Sequence, residues 1–292
     1  MTLQHRGDRQ ALRLDVALAP GLPDGSSPRH DTVFIVVDVI RATTTLCLLF
    51  ERGCREALIA PDIDTAAAWR ARRAGDVLLA GEVAGATPPG FDFGNSPSEF
   101  ARVALTGRTV IFATTNGTRA ISACAGARAI FAGSLRNARA AAETALAAAD
   151  AESQALSIAR DESSGLAQVA AETADDRMPN IVVLCAGRGD RPAYDDTICA
   201  GYLVRHLLDA AATAARSVAL GEGARIAQAA LAGAEAGGGI RAALAQSDAY
   251  HAIERIGLAA DLDWCAATDV TTVVPRVTGD TSGTELAVMR TS

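Results

Sequence analysis

The stretch TVFIVVDVIRATTTLCLLFERG, residues 32–53, decides how the rest of the chain is read. Thr32–Val39 is a continuous β-branched run, the mark of a strand buried on both faces in a sheet covered by helices. Asp38 sets a carboxylate inside that run, which is costly in apolar surroundings unless it finds partners. Thr43–Arg52 then turns helical, with Gly53 as a natural stop. A buried strand feeding directly into a helix is the repeating step of an α/β fold.

The alternation continues on both sides. Strands are expected at Leu12–Leu18, Ala57–Ala60, Val77–Ala80, Thr109–Ala113, Ala129–Ala132 and Ile181–Cys185. Helices are expected at Ala66–Ala74, Pro97–Leu105, Arg119–Ala125, Asn137–Ala149, Thr197–Ala215, Ala224–Ala245 and Ser247–Ile256. Leu262–Ala266 and Thr271–Val274 read as short closing strands or extended segments. Pro20–Asp31 is a Pro/Gly/Ser loop, and the polar, acidic Asp150–Pro179 segment reads as a mobile helix-loop insertion. The expected fold is a layered α/β/α arrangement with a mostly parallel or mixed sheet. It forms one catalytic unit over residues 1–292, divisible at most into two lobes.

Composition narrows the function. With 292 residues, 49% of them hydrophobic and 21% charged, the chain is neither disordered, collagenous nor a disulfide miniprotein. Roughly a fifth of it is alanine, and with no lysine present all 27 basic residues are arginine. A net charge of −7 disfavours nucleic acid as a partner. A small anionic phosphorylated substrate still fits, because a few convergent arginines can outweigh the global charge locally. The six cysteines form no CxxC pair and read as small buried hydrophobes in a reducing compartment. No apolar run is long enough for a membrane and no secretory leader is evident, so a cytoplasmic protein is expected. An α/β enzyme of this size is often a homodimer.

In open α/β sheets ligands bind beyond the carboxyl ends of the strands, and four such ends are polar here. VVDVIRATTT offers Asp38 and Arg41, with Thr43 and Thr44 opening a helix, a favourable place for an anion. The plain alternative is an Asp–Arg structural pair. GEVAGATPPGFDFGNSP offers Glu82, Asp92, Asn95 and Ser96 in a stiff loop suited to magnesium or phosphate, or to ordinary Asx-turns. VIFATTNGT clusters Thr114, Thr115, Asn116 and Gly117. IVVLCAGRGDRPAYDDT combines Gly187, the forked donor Arg188, and Asp195 with Asp196 at a helix start, where acids also serve the helix dipole.

Taken together, VVDVIRATTT, GFDFGNSP, TTNGT and CAGRGD with YDD resemble the 2-phosphosulfolactate phosphatase family, over roughly Leu12 to Pro275. The WCAATDVTTVVP segment resembles that family's C-terminal part. The resemblance implies magnesium-dependent hydrolysis of the phosphate ester of a 2-hydroxy-3-sulfonate acid, giving sulfolactate on the route to coenzyme M. Two departures stand out: Asp195-Asp196 replaces the usual Glu-Asp, and the Asp150–Pro179 segment is long. On this reading Asp38, Arg41, Glu82, Arg188 and Asp196 are the catalytic candidates. Mg²⁺ ligands are drawn from Asp38, Glu82, Asp92, Asp195 and Asp196. Thr43, Thr44, Asn95, Ser96, the Thr114–Gly117 turn and Gly187 are left to hold substrate oxygens.

Two other readings stay open. Cys185 and Arg191 have the spacing of a cysteine-dependent phosphatase loop, in which a thiolate attacks phosphorus. The same strand ends would also suit a non-catalytic protein that binds a phosphorylated metabolite.

Overall fold

A computed structural model describes residues 11–20, 31–72, 77–162, 180–279 and 286–291. Among them, ten strands form one mixed sheet flanked by helices on both faces, the layered α/β architecture expected. The first half of the chain supplies β1 (Leu12–Ala17), β2 (Thr32–Val37), α1 (Ala42–Glu51), β3 (Glu56–Ile59), α2 (Ile63–Arg72), β4 (Val77–Gly81) and α3 (Pro97–Phe100). Next come β5 (Thr109–Ala113), α4 (Gly117–Ala123), β6 (Ala129–Gly133), α5 (Ala138–Glu162) and β7 (Asn180–Cys185). The remainder gives α6 (Tyr194–Thr213), β8 (Val218–Leu220), α7 (Glu222–Ala236), α8 (Ile240–Leu244), α9 (Asp248–Arg255), α10 (Asp261–Cys265), β9 (Pro275–Val277) and β10 (Ala287–Thr291).

The strand order is β4-β5-β3-β10-β9-β6-β2-β7-β1-β8. Two parallel blocks, β4-β5-β3 and β6-β2-β7-β1-β8, are joined by antiparallel β9 and β10. Three successive antiparallel pairings, β3–β10, β10–β9 and β9–β6, make the two blocks run in opposite directions. Their strand-end loops nevertheless meet: Arg41 after β2 reaches Gly85 after β4, and Gly117 after β5 lies against Asp38 after β2.

β2 explains the reading of its own sequence. Val33, Ile35 and Val37 face one apolar layer, with α5, α6 and α7, while Phe34 and Val36 face the other, with α1 and α4. The alanine bias serves close packing: Ala138, Ala141, Ala142, Ala145 and Ala149 are fully buried at helical spacing along α5. On the smaller block, α2 packs Ala66 and Trp69 over Leu58, Leu79 and Ile111.

Several expectations are corrected. Leu262–Ala266 falls in a helix, α10, and its cap, because a five-residue stretch carries no decisive period. Thr271–Val274 is irregular and leads into β9. The Pro97–Leu105 helix stops after one turn at Phe100. Ala224–Ala245 is broken at Gly237–Gly239, where Gly238 and Gly239 have φ of 111° and 95°. β8 and β10 are additions. The start of the 150–179 segment continues α5 to Glu162, whereas residues 163–179, like 21–30 of the first loop and 73–74 of the α2 helix, lie outside the described residues.

Candidate active site

Where β2 ends, the chain turns sharply into α1. Asp38 Oδ1 accepts the Ala42 N–H at 3.2 Å, and its carbonyl oxygen accepts both the Thr43 N–H at 2.9 Å and the Thr43 hydroxyl at 3.0 Å. Its other oxygen, Oδ2, lies against Gly117 at the start of α4: a β-carbon there would stand 2.9 Å from it and 2.6 Å from Ala42 Cβ. Only glycine fits that contact.

Three further carboxylates gather around this turn. Asp195 and Asp196 open α6, 2% and 3% exposed. Asp196 Oδ1 accepts the Val39 N–H at 2.9 Å and Oδ2 the Gly187 N–H at 3.0 Å. Glu82, after β4, accepts the Gly85 N–H at 2.7 Å and the Thr115 N–H at 2.8 Å. Burial and, secondarily, the neighbouring negative charge of Glu82 raise the Asp38 carboxyl to about 6. Burial and the charge of Asp38 raise Asp195 to about 7. Asp196 is pushed well above the ordinary range by burial first and then by Asp195 and Asp38. The four acids thus act as one electrostatic group.

Cations stand around this group in unequal ways. Arg41 is buried and consumed: Nη1 meets Asp261 Oδ2 at 2.9 Å and Nη2 donates to the Gly85 carbonyl at 2.7 Å. Its structural partner is Asp261, not Asp38. Arg188 is exposed on the rim, with Nη1 on the Asp248 carbonyl of α9 at 2.8 Å, and its charge favours ionised Asp195. The Arg188–Arg191 turn is possible because Gly187 has φ of 65°, and a β-carbon there would meet the Arg191 carbonyl at 2.5 Å.

Other sequence candidates are occupied by structural work. The Thr43 hydroxyl is used on Asp38, and that of Thr44 on the Val39 carbonyl at 2.8 Å. Thr114 binds Thr118 through its hydroxyl and carbonyl, capping the first turn of α4. Asn116 precedes that helix, half-buried. Ser96 caps α3 and donates to Asp261 at 2.6 Å. Asn95 is buried with its side-chain oxygen unpartnered, while its backbone carbonyl accepts Thr45. Asp92, in the loop that runs back beside edge strand β4, is held by Arg70 at 2.7 Å and the Leu79 N–H at 2.8 Å. Asp261 carries no signal in the sequence, since an Asp in the stretch LAADLDW forms no motif.

Cys185 ends β7 in complete burial, and its thiol is pushed well above its ordinary value by that burial and by Asp196 and Asp195. A thiolate nucleophile requires the opposite shift.

Fold and site define an α/β protein with an acidic cleft at the carboxyl ends of its parallel strands, where this architecture places ligands. The family profile for 2-phosphosulpholactate phosphatase matches residues 21–161 and 165–280, and the chain belongs to that family. A Deinococcus radiodurans protein named probable 2-phosphosulfolactate phosphatase is 36% identical over 271 residues, 92% of this chain and 95% of that one. A Thermus thermophilus protein of the same name is 34% identical over 269 residues, with the same shares covered. A Pseudothermotoga lettingae protein, again so named, is 30% identical over 254 residues, 87% of this chain and 92% of its own. Among the described residues, no helix is long and apolar enough to cross a membrane.

Proposed function

We propose that this protein hydrolyses the phosphate monoester of a 2-hydroxy acid, 2-phosphosulfolactate in the first instance, with Mg²⁺ as its cofactor. The observation that carries the reading is the group of four carboxylates in one strand-end cleft, three of them raised above the ordinary carboxylate range. A phosphate dianion approaching such a group is repelled unless a cation intervenes. The acidity of the cleft therefore supports a metal-dependent reaction rather than one relying on arginine alone.

The donors suit magnesium. Among the described residues no three His, Cys, Asp or Glu side chains converge closely enough to hold a metal by themselves. Mg²⁺ is commonly held by one or two carboxylates, with water and substrate phosphate completing its shell. Asp38 and Asp195 are the carboxylates that would hold it, since their bonds come only from their own segments. When bound, the ion supplies charge neutralisation at the phosphoryl oxygens.

The chain's own groups do the rest. Arg188, anchored by one nitrogen on the Asp248 carbonyl and close enough for Asp195 to feel its charge, would orient the sulfonate or carboxylate. Gly117 and Ala42 close the wall behind Asp38 and exclude water from that side.

The test is phosphate release from 2-phosphosulfolactate and from phospholactate, with Mg²⁺ and after chelation. Metal-dependent release from the sulfonate ester, lost in Asp38→Asn, is expected. Equal turnover after chelation, or wild-type turnover by Asp38→Asn, would overturn the reading.

A further inference from the structure

Glu82 and Asp196 share a property that Asp38 and Asp195 lack. Each bridges separate backbone segments, giving one oxygen to each. Asp196 joins Val39, after β2, to Gly187, after the neighbouring β7. Glu82 joins Gly85, in the loop after β4, to Thr115, after the neighbouring β5. Each of the two parallel blocks thus carries a carboxylate tie between the carboxyl ends of two neighbouring strands.

We infer that Glu82 and Asp196 are positioning residues that set the spacing of the strand-end loops, rather than ligands of the cation or the substrate. The assignment rests on the proposed phosphatase reading of the site. Drawing either carboxylate onto a ligand would strand two amide donors that it now satisfies, Val39 and Gly187 in one case, Gly85 and Thr115 in the other. One short side chain that accepts an N–H from each of two segments holds the gap between them fixed. The consequence is geometric. The Val39 tie fixes the turn that carries Asp38, and the Gly187 tie fixes the turn that carries Arg188. The Thr115 tie fixes the approach to Gly117, whose Cα backs onto Asp38 Oδ2. Four acids of one type therefore divide into two that hold the frame and two that face the ligand.

Asp196→Asn and Glu82→Gln test this, because the amide keeps the shape but offers one acceptor and turns an NH2 towards the second N–H. Amide exchange is expected to accelerate about tenfold or more at Val39 and Gly187 in Asp196→Asn, and at Gly85 and Thr115 in Glu82→Gln. Binding of Mg²⁺ alone, by calorimetry, should stay within about threefold of wild type, against its loss in Asp38→Asn, because ligand carboxylates and not framing ones set that affinity. The rate constant kcat should fall on the order of 10- to 100-fold while KM changes by about twofold or less, the pattern of a displaced reacting geometry. Unchanged exchange at those amides, or Mg²⁺ affinity lost as in Asp38→Asn, would overturn the assignment. Should the variants not fold, the wild-type protein decides. The four amides must be protected, and must stay protected as Mg²⁺ is added; fast exchange, or exposure on adding Mg²⁺, refutes the ties. Wild-type protein inactive on every phosphate ester would refute the phosphatase reading instead, leaving the exchange result to stand on its own.

Discussion

Arg41 and Asp261 lie 220 residues apart in sequence and meet at 2.9 Å, with side chains 2% and 0% exposed. The pair is the knot of a larger brace. Asp261 Oδ1 also accepts the Ser96 hydroxyl at 2.6 Å and the Ser98 N–H at 3.2 Å, while Arg41 reaches the Gly85 carbonyl. Four segments are thereby locked around the cleft: the start of α1, the loop after β4, the cap of α3, and α10. Removing one partner leaves a buried charge without compensation. Arg41→Ala should therefore cost about 3–5 kcal/mol, measured by denaturant unfolding. Arg41→Lys keeps the charge but not the fork, and should lose part of that stability. Full stability in Arg41→Lys with turnover abolished would instead place the guanidinium on the substrate.

Gly117→Ala isolates a steric contact beside the reacting group. The added methyl would lie 2.6 Å from Ala42 Cβ and 2.9 Å from Asp38 Oδ2, so Asp38 or the α4 turn must shift. Overpacking of this kind costs about 1–3 kcal/mol. A displacement of about 1 Å at a reacting carboxylate can cost on the order of 100-fold in rate. Turnover should therefore fall far more than thermal stability. A variant as active as wild type would show that Asp38 Oδ2 has no fixed role at this position.

The fold is legible in the sequence where its pattern is local. β2 had both signals, a β-branched run and an abrupt helical continuation, and α1 follows it within the expected bounds to one residue. The four strand ends were legible because polar residues interrupt apolar runs; that loops from two oppositely directed blocks meet at Asp38 was not. The partners of those residues were not legible. Nothing in VVDVIRATTT tells that Arg41 turns away from Asp38 to a residue in α10, or that Asp196 spends both oxygens on backbone groups. Main-chain donors have no sequence signature, so a carboxylate that ties loops resembles one that binds a metal. The joining pair β9 and β10 was illegible for a related reason: each is short, and each is defined by its partner rather than by period.

Cys185→Ser separates a thiol nucleophile from a packed core residue. The side chain is buried at the end of β7, with its thiol pushed well above the usual value by burial and the two aspartates. The serine variant should retain turnover within about tenfold of wild type and lose about 1–3 kcal/mol, from placing a hydroxyl in an apolar layer. Phosphate release that is insensitive to chelation and vanishes in this variant would reverse the assignment in favour of the thiolate.

The raised carboxyls make stability depend on pH in a definite direction. An aspartate in the unfolded chain titrates near ~3.9, whereas Asp38 titrates at about 6 and Asp195 at about 7 in the fold. Between these limits the folded protein holds more protons than the unfolded chain, so its stability must fall as pH rises. The stabilising contribution of the neutral carboxyls is full below pH ~4 and is lost on passing through the folded values, with little further change above. Asp196, raised further, adds loss of the same sign at higher pH. Mg²⁺ reverses the effect, because it binds the ionised carboxylates and so favours the folded state by mass action. The gain in Tm on adding Mg²⁺ should accordingly be small at pH 5 and grow steadily to pH 8. In Asp195→Asn the metal-free decline should flatten, since one of the titrating groups is gone. Thermal unfolding across that range, with and without the ion, measures both. A Mg²⁺-induced shift of equal size at pH 5 and pH 8 would mean that the ion, if it binds, does so away from Asp38 and Asp195.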